Sequence, residues 1–380
     1  MQRVTFFTIF FLLLELSRGF PPVLVVNSGA SNAPTIMQVL STDDIHCSNM
    51  SAPKAVSVFA QLQCASATEC AQSSGDTLLF LPDSLSVLVS VGCLQASAEE
   101  VCKRSLSAVY QVSLESAKSS VLLRANDVPS SPLSSLFRPY GLLDISPTFS
   151  QGHQLLIANL VSNTILSCAP SASCSVFATW NGTAFPGSLN GPNSMCAFPD
   201  GGSLFVTTEG TTPHCLNPSS CSVTFPGLPS LLLNYPLSSP SSQQPRVVFT
   251  SGPNGSLAGL QCNGNDSLLY ATDFSLNLLY QLTPSGVLLG SYSTITPELP
   301  CLAASSCYTG EIHIFQNATA SLLFLTVGST QSSGGAVVYF AQRLPVKTLS
   351  GPHLFLPWSE QLDRPMGITI PVVDFPDDLC

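Results

Sequence analysis

Residues 139–179 decide the fold, because four short apolar segments follow one another there. The segments are Pro139-Tyr-Gly-Leu-Leu-Asp-Ile-Ser-Pro147, Gln154-Leu-Leu-Ile-Ala-Asn159, Asn163-Thr-Ile-Leu-Ser-Cys168 and Cys174-Ser-Val-Phe-Ala-Thr179. Each has the length of a typical β-strand, and the residues between them include many turn formers such as Ser and Pro. The stretch therefore predicts one antiparallel sheet of four consecutive strands.

The same pattern recurs along the chain at intervals of about 54 to 64 residues. A clear second copy runs from Leu257-Ala-Gly-Leu-Gln-Cys262 to Gly286-Val-Leu-Leu-Gly290. Another begins at Pro192-Asn193, and its last two strands are expected within Cys215 to Phe225. Counting the weaker copies, first strands are expected near residues 77, 139, 193, 257, 311 and 365. A four-stranded unit repeated at this period is typical of a β-propeller.

The two ends of the chain are expected to complete one blade together. Arg364-Pro-Met-Gly-Ile-Thr-Ile370 is a first strand with too little chain after it for three more strands. Val23-Leu-Val-Val-Asn27 and Thr35-Ile-Met-Gln-Val-Leu40 have no first strand before them. A shared blade closes the ring and leaves no open edge between the ends. We therefore predict an all-β propeller of six four-stranded blades; five or seven blades, or a long β-sandwich, are the alternatives.

The N-terminus has the composition of a secretory signal peptide. A positive start at Arg3 precedes an apolar run from Phe6 to Leu14, and Ser17 and Gly19 suit a signal peptidase. The run is shorter than the about 20 residues that span a bilayer. We expect cleavage after residue 19, a single propeller domain over residues 20–380, no membrane span in the mature chain and a secreted, extracellular location.

Charge is scarce in this sequence. Charged residues make up 9% of the chain, and the net charge is −10, whereas about 25% is usual for soluble domains. An acidic chain with so few Lys and Arg residues does not suit binding to nucleic acid or to an anionic membrane. We therefore expect an extracellular protein or a glycan as the partner.

Fourteen cysteines in a secreted chain indicate disulfides. Four pairs share the spacing C-x5-C, which suits the two sides of a hairpin better than a zinc site, where C-x2–4-C with nearby histidines is usual. Cys168/Cys174 and Cys215/Cys221 are expected at hairpins between third and fourth strands, and the other two pairs on links into first strands. The eight residues are Cys64, Cys70, Cys168, Cys174, Cys215, Cys221, Cys301 and Cys307.

The remaining cysteines leave the pairing open. Cys93 with Cys102, and Cys47 with Cys380, are candidate bridges, whereas Cys196 and Cys262 are either buried thiols or a pair. Five glycosylation sequons agree with an extracellular location. Their asparagines are Asn49, Asn181, Asn254, Asn265 and Asn317.

Several motifs resemble known propeller families. Pro139-Tyr-Gly-Leu142 with Leu155-Leu-Ile-Ala-Asn159 resembles NHL-type repeats, as do Gly259-Leu260 and Leu269-Tyr-Ala-Thr-Asp273. Pro192-Asn193, followed by Pro199-Asp-Gly-Gly-Ser-Leu-Phe-Val206, resembles the SMP-30, gluconolactonase and strictosidine-synthase-like propellers. The resemblance implies a six-bladed fold.

The SMP-30 resemblance also implies a channel metal, calcium or another divalent ion, held by a glutamate and by Asn or Asp residues. Asn193 matches one such ligand, so it is the metal candidate, but Ala258 stands where the family has an acid. The family's N-terminal glutamate has no equivalent here. Resemblance therefore supplies one of three ligands, and we predict no cofactor.

Acidic groups near the axis are the first candidates for catalysis. Asp144 is the one charged residue expected midway along a first strand, and no catalytic residue is assigned. Other charged or ionisable residues lie beside first strands or end second strands, or fall on the late blades where strictosidine-synthase-like enzymes carry their acid. They are Glu209, Asp273, Glu298, Glu311, His313, Glu360 and Arg364. The sequence favours a secreted binding or scaffold propeller over the alternative, a metal-dependent hydrolase or lactonase.

Overall fold

A computed structural model gives the fold of this protein. Its description covers residues 23–27, 34–41, 54–62, 73–93, 107–124, 138–145, 154–160, 162–169, 174–179, 191–210, 212–215, 221–224, 229–237, 245–301, 306–316, 320–329, 334–343 and 346–371. The expected signal peptide, residues 1–19, lies outside these ranges. Within them, no helix is long and apolar enough to cross a membrane.

The described residues form six four-stranded antiparallel sheets and one added hairpin. We number the blades from the first complete one, and in each blade the first strand is innermost. Blade 1 holds β4 (Ser73–Leu81), β5 (Ser86–Cys93), β6 (Ala108–Ser113) and β7 (Ser119–Arg124). Blade 2 holds β8 (Pro139–Asp144), β9 (Leu155–Asn159), β10 (Thr164–Cys168) and β11 (Cys174–Thr179).

Blade 3 holds β12 (Pro192–Ala197), β13 (Ser203–Thr208), β16 (Leu231–Pro236) and β17 (Arg246–Thr250). Blade 4 holds β18 (Leu257–Asn263), β19 (Leu268–Asp273), β20 (Leu278–Leu282) and β21 (Leu288–Ser293). Blade 5 holds β22 (Cys307–Gln316), β23 (Ala320–Ser329), β24 (Gly335–Arg343) and β25 (Ser350–Ser359). Blade 6 holds β26 (Pro365–Thr369) with β1 (Val23–Asn27), β2 (Thr35–Ser41) and β3 (Lys54–Gln61).

The first strands meet around a closed ring. Each first strand contacts the next one around the ring, in the order β4, β8, β12, β18, β22 and β26, and β26 contacts β4. In blade 6, β26 from the C-terminal part of the chain pairs with β1 from the N-terminal part, so that Val25 faces Ile368. The predicted propeller with six blades and a shared closing blade is confirmed.

The core lies between the blades, one apolar cluster at each of the six interfaces. A blade is thus covered on both faces, and its inner strands are apolar at successive positions instead of alternating. All five residues of β1 are buried, for example, whereas the outermost strand of blade 4, β21, is largely exposed. This burial explains why the sequence reads as short continuous apolar runs.

The predicted position of the last two strands of blade 3 is wrong. Residues near Cys215 and Cys221 form a separate hairpin, β14 (Thr212–Cys215) with β15 (Cys221–Thr224), inserted between the second and third strands. The third strand is instead β16, whose residues Leu231, Leu232 and Leu233 are buried. An inner strand must fill the space between two neighbouring blades, and Thr-Pro-His-Cys at 212–215 lacks the apolar run for that position.

Candidate functional site

Every blade has an irregularity at the same height of its innermost pairing. The register between first and second strands shifts within two residues, which leaves a pair of bulge residues on each first strand. A β-bulge redirects side chains locally and is frequent beside functional sites. The six pairs, from blade 1 to blade 6, are 76–77, 140–141, 193–194, 258–259, 310–311 and 366–367.

The second bulge residue is glycine in alternate blades. A Cβ on Gly259 or Gly367 would lie 2.8 Å from backbone atoms of Ile312 and Asp76, respectively, and one on Gly141 would overlap the carbonyl of Asn193. Adjacent first strands therefore approach each other at these points without room for a side chain. The intervening blades carry Thr77, Ser194 and Glu311 at the equivalent position, and these three side chains meet at the axis.

Glu311 is the centre of this meeting. One carboxylate oxygen, Oε1, accepts a hydrogen bond from Thr77 Oγ1 at 3.5 Å, and Oε2 accepts one from Ser194 Oγ at 3.2 Å. Burial raises the pKa of Glu311 to about 7; the charge of Asp76 also raises it, and the two hydroxyl donors oppose the shift. A titratable carboxyl thus joins blades 1, 3 and 5 at the axis.

Buried hydroxyls on second strands connect neighbouring first strands. Thr272 Oγ1 accepts the amide N–H of Gly259 at 2.8 Å and donates to the carbonyl of Gly310 at 2.8 Å. Ser90 and Thr207 make the same two contacts in blades 1 and 3. Thr326 donates to the carbonyl of Met366 at 2.7 Å. We call these four residues the hydroxyl latches.

A second polar cluster lies above Glu311, near the start of the first strands. Asn193 Nδ2 donates to Glu209 Oε1 at 2.6 Å, and the Arg138 guanidinium carbon lies 5.6 Å from the centre of the Tyr140 ring. Burial raises the pKa of Glu209, while Arg138 and Asn193 oppose that rise. Asn193 Oδ1 is buried and has no hydrogen-bond partner among the described residues.

This cluster does not supply the metal site that the resemblance implied. Glu209 and Asn193 Oδ1 offer few oxygens, whereas calcium takes six to eight. Within the described ranges, no three His, Cys, Asp or Glu residues are grouped so that they could hold a metal ion. Ala258 also contributes no oxygen from its side chain. The described residues therefore do not fit a channel metal of that kind.

A cavity of about 410 Å³ lies on the other side of the bulges. All six first strands line it, and Thr77, Ser194 and Glu311 are among its lining residues. His313 also opens onto it, and burial lowers the pKa of this imidazole to about 4. The channel is thus divided into a polar cluster above Glu311 and a cavity beside it.

The structure changes the position of some expected acids. Asp144 is not midway along a first strand but is the last residue of β8. Glu311 and Asp76 are buried acids in the interior of first strands, Glu311 because β22 begins four residues earlier, at Cys307, and Asp76 within β4. Glu209 follows β13, as expected, and Asp273 ends β19, where its Oδ1 accepts three backbone N–H groups.

Three other candidates take no part in the contacts of Glu311 described above. Glu298 and Glu360 are exposed. A hydrogen bond from the Thr296 side chain lowers the pKa of Glu298. Arg364 precedes β26 in a left-handed backbone conformation with φ 52°. These positions give no catalytic constellation with Glu311 in the described residues.

Three disulfides lie in the described residues. Cys168–Cys174 joins paired positions of the β10–β11 hairpin, and Cys301–Cys307 joins the link before β22 to the first residue of that strand. The third, Cys196–Cys262, ties β12 of blade 3 to β18 of blade 4, so these two residues are a pair and not free thiols. Both of its residues line the cavity.

The structure describes only some of the other predicted disulfide and glycosylation positions. Cys215 faces Cys221 in the β14–β15 register, and the described part of their structure is limited to the backbone. Asn254 and Asn265 lie exposed on turns. The other predicted positions lie outside the described residues or, for Cys93, outside the described side chains. They are Cys47, Cys64, Cys70, Cys93, Cys102, Cys380, Asn49, Asn181 and Asn317.

Sequence reasoning missed the hydroxyl latches and the role of Glu311. A signal for the latches was present, because Ser90, Thr207, Thr272 and Thr326 occupy the same place in their second strands. The contact of Glu311 with Thr77 spans 234 residues of chain. No local pattern reports such a contact.

Comparison with known proteins shows the fold. No family model matches the chain, and no curated protein matches it by sequence. A chain of a nidogen/laminin complex superposes with a TM-score of 0.56 at 12% identity, over 92% of this chain and 98% of that one. A periplasmic gluconolactonase of Pseudomonas aeruginosa gives a TM-score of 0.50 at 11% identity, over 92% and 98%. This chain is therefore a six-bladed β-propeller, similar in fold to both binding and lactonase propellers.

Proposed function

We propose that this protein is a secreted, disulfide-stabilised propeller that binds an extracellular protein or glycan. In this proposal residues 1–19 are removed, and residues 20–380 act as one domain. The observation that carries it is the use of polar groups near the axis. Glu311 accepts hydrogen bonds from Thr77 and Ser194, and Asn193 is bonded to Glu209. The Glu311 contacts join blades 1, 3 and 5, and the Asn193–Glu209 contact lies within blade 3. Because these groups are engaged with one another, the loops and outer strands are left as recognition surfaces.

The nidogen/laminin complex supports the proposal by fold analogy. In that assembly of two proteins, one chain has a fold similar to this one. Exposed sequons at Asn254 and Asn265 also suit an extracellular surface. Scarce charge favours a partner recognised by hydrogen bonds and apolar contacts over one recognised by its net charge.

The alternative function, metal-dependent hydrolysis of a lactone or ester, has one observation in its favour. Glu209 and the Oδ1 atom of Asn193 lie together near the start of the first strands, and burial raises the pKa of Glu209. A buried carboxyl with a raised pKa is a recurrent feature of catalytic sites.

One experiment on the full chain expressed through a secretory pathway separates these functions. We expect the purified protein to begin at Phe20, to lose mass on enzymatic deglycosylation and to bind saturably to a member of an extracellular protein or glycan array. Glu209→Gln should leave that binding unchanged. Turnover of gluconolactone that needs calcium or zinc and is lost in Glu209→Gln would instead establish the hydrolase.

A further inference from the structure

Three consecutive apolar side chains are exposed together on the outer rim of blade 4. Val287, Leu288 and Leu289 are 57%, 46% and 48% exposed, whereas Val58 and Val176, on blades 6 and 2, are each exposed alone. Single exposed apolar residues are ordinary on a protein surface, but a contiguous group of them marks an interaction site.

A tight turn fixes these side chains at the end of blade 4. The Val287 N–H donates to Thr283 Oγ1 at 3.0 Å, and the Gly286 N–H donates to the Thr283 carbonyl at 2.9 Å. Gly286 has φ 95°, and a Cβ on it would overlap the carbonyl of Val248 in blade 3. The turn is therefore packed against the neighbouring blade, and the apolar residues that follow it are held at the surface.

The link between the last two strands of blade 5 extends this surface. Gln281 Nε2, in blade 4, donates to the Lys347 carbonyl at 2.7 Å, and Lys347 Nζ donates to the Asp266 carbonyl at 3.4 Å. The exposed Val346 precedes Lys347 and so lies beside blade 4. Asp266 is buried and its carboxylate accepts the Tyr270 hydroxyl, so it presents no exposed negative charge here. The rim patch, as we name it, consists of Val287, Leu288, Leu289 and Val346.

Positive residues flank the rim patch, although the chain as a whole is acidic. Arg246, Arg343 and Lys347 are the only Lys and Arg residues between positions 139 and 363, and all three are exposed. Arg246 Nη2 donates to the carbonyl of Ser285, in the turn before the patch. Arg343 ends β24, and Lys347 lies on the link that follows it. The surroundings of the patch therefore favour carboxylates on a partner.

The edge of blade 4 is also open to pairing. β21 is the outermost strand of its sheet and carries neither a charged residue nor a proline. Such residues on edge strands hinder pairing with another chain, and the outer strands β3, β7, β17 and β25 contain them. Leu282 faces Leu288 and Gln281 faces Gly290, so Leu289 is a bulged residue. Regular pairing by an added strand is therefore available along residues 290–293.

We propose that the rim patch and the edge of β21 bind an extended segment of a partner protein, apolar at its centre and acidic at its ends. Its backbone adds to β21 along residues 290–293, and its apolar side chains cover Leu288 and Leu289. Its carboxylates meet Arg246 and Lys347. This inference rests on the proposed partner-binding function and supplies the surface and the chemistry of the partner.

Two other occupants suit this surface less well. A second copy bound through the same patch would bring Arg246 and Lys347 of both copies together without a counter-charge. An anionic membrane would repel a chain of net charge −10, and lipid offers no partner for the backbone groups of a strand edge. An acidic protein segment satisfies both the charges and the edge.

Peptides that share the centre Val-Thr-Val-Thr-Val test the charge requirement. Their ends are Asp-Asp, Asn-Asn or Lys-Lys, and each is titrated by fluorescence anisotropy into the full-length secreted protein after enzymatic deglycosylation. We expect the acidic peptide to bind at least about tenfold more tightly than the neutral one, and the basic peptide not to bind. The acidic peptide N-methylated at alternate residues should not bind, because strand addition uses backbone N–H groups. No binding of the acidic peptide at millimolar concentrations, equal binding of all three or full binding of the N-methylated one overturns the proposal.

Matched variants test the surface. Leu288→Ser with Leu289→Ser should weaken the acidic peptide by about tenfold or more, whereas Val58→Ser, an equally exposed apolar position on blade 6, should leave its affinity unchanged. Arg246→Gln with Lys347→Gln should remove the advantage of the acidic peptide over the neutral one. Unchanged affinity in the folded double serine variant rejects the rim patch.

The protein or glycan array of the proposed function is probed with the same variants. An array partner that binds the double serine variant as well as the wild type would leave the partner-binding function standing and reject the rim patch. Binding of the acidic peptide without any array partner would count against the proposed function alone.

Two further measurements cover the other occupants. Vesicles of phosphatidylcholine and phosphatidylserine that bind the wild type and not the double serine variant would show a membrane site. A dimer in sedimentation that the same variant abolishes would show that a second copy covers the patch. Either result overturns the proposal.

Discussion

Glu311 is a buried acid whose ionisation opposes folding. Its pKa is about 7 in the folded chain because burial disfavours the charged form, whereas an exposed glutamate titrates near 4.5. Below that lower value the residue is protonated in both states. As the pH rises from about 4.5 to 7, the unfolded chain loses its proton first, so the folded state loses relative stability. Above pH 7 the difference is constant.

The stability difference between Glu311→Gln and the wild type should therefore depend on pH. Relative to the wild type, we expect the variant to gain roughly 3 kcal/mol between pH 4 and pH 8, since each pKa unit corresponds to 1.36 kcal/mol. Urea unfolding at several pH values measures this difference. Glu360→Gln, at an exposed position, should follow the wild type throughout. A difference that does not vary with pH would mean that Glu311 is not desolvated.

Gly259 lies where the first strands of two neighbouring blades approach each other closely. A Cβ there would lie 2.8 Å from the Ile312 nitrogen and 2.9 Å from Thr272 Oγ1. We expect Gly259→Ala to destabilise the fold by about 1–3 kcal/mol through overpacking. A Cβ on Gly202 would have no atom within 4 Å, so Gly202→Ala should change stability by less than about 1 kcal/mol. Chemical denaturation compares the two; equal effects would contradict the close packing.

At the scale of elements, the hydroxyl latches connect four of the six blades to the first strand of the next blade. Each latch lies on a second strand and donates to a carbonyl of the next blade, and Ser90, Thr207 and Thr272 also accept an amide N–H from their own blade. The bulge makes this necessary, because it removes regular ladder partners from buried backbone groups. Blades 2 and 6 have Ala158 and Val26 at the corresponding position, so their interfaces there rely on apolar packing.

Thr272→Val should show how much one hydroxyl latch contributes to the free energy of unfolding. Valine has nearly the same shape, but it leaves the Gly259 N–H and the Gly310 carbonyl without this partner. We expect a loss of at least about 2 kcal/mol, because each unsatisfied buried group costs about 1–3 kcal/mol. Thr272→Ser keeps the hydroxyl and should lose only about 1 kcal/mol for the methyl group. Thermal unfolding of both variants measures this, and a valine variant as stable as the serine one would rule out the latch.

At the scale of the whole molecule, the ring is held by local and long-range bridges. Cys168–Cys174 closes a hairpin over a sequence separation of 6, whereas Cys196–Cys262 links two blades over a separation of 66. The longer bridge restricts the unfolded chain more, so its contribution to stability should be larger.

Removal of each bridge by a double Cys→Ala change tests this difference. Loop-closure entropy gives about 2 kcal/mol for the hairpin bridge and about 4 kcal/mol for Cys196–Cys262. Denaturant unfolding of the two double variants provides the comparison. If the hairpin variant lost as much stability as the inter-blade variant, chain entropy would not be the main contribution of these disulfides.

Ring closure is the other property of the whole molecule. Pairing between β1 and β26 brings the two terminal parts of the chain into one sheet, and Ile368 packs with Val23 and Val25. The sixth blade cannot form until both parts have been made, so among the described residues its pairing is the most non-local of the strand pairings. Such contacts generally slow folding.

The sequence alone determined the repeat, the number of blades and the shared closing blade. These follow from short-range patterns, namely apolar runs of strand length separated by turn formers, and such patterns depend on residues near one another in the chain. The same reasoning misplaced the last strands of blade 3, because the local pattern of Cys215 to Phe225 does not distinguish an inserted hairpin from the third and fourth strands of a blade. Burial between neighbouring blades decided in favour of Leu231–Pro236.

Only the tertiary structure decided what lies at the axis. Glu311, Thr77 and Ser194 come from three blades and are separated by 117 to 234 residues of chain. Their meeting depends on the bulges, on the glycines of the intervening blades and on closure of the ring. Asp144 was the expected axial acid, yet it is the last residue of β8, whereas β22 begins at Cys307 and so holds Glu311 in its interior. The sequence thus determined the six-bladed ring, whereas the convergence of distant strands determined which polar groups meet at its axis. The physical reason is that desolvation and hydrogen bonding at the axis arise only after the blades have packed.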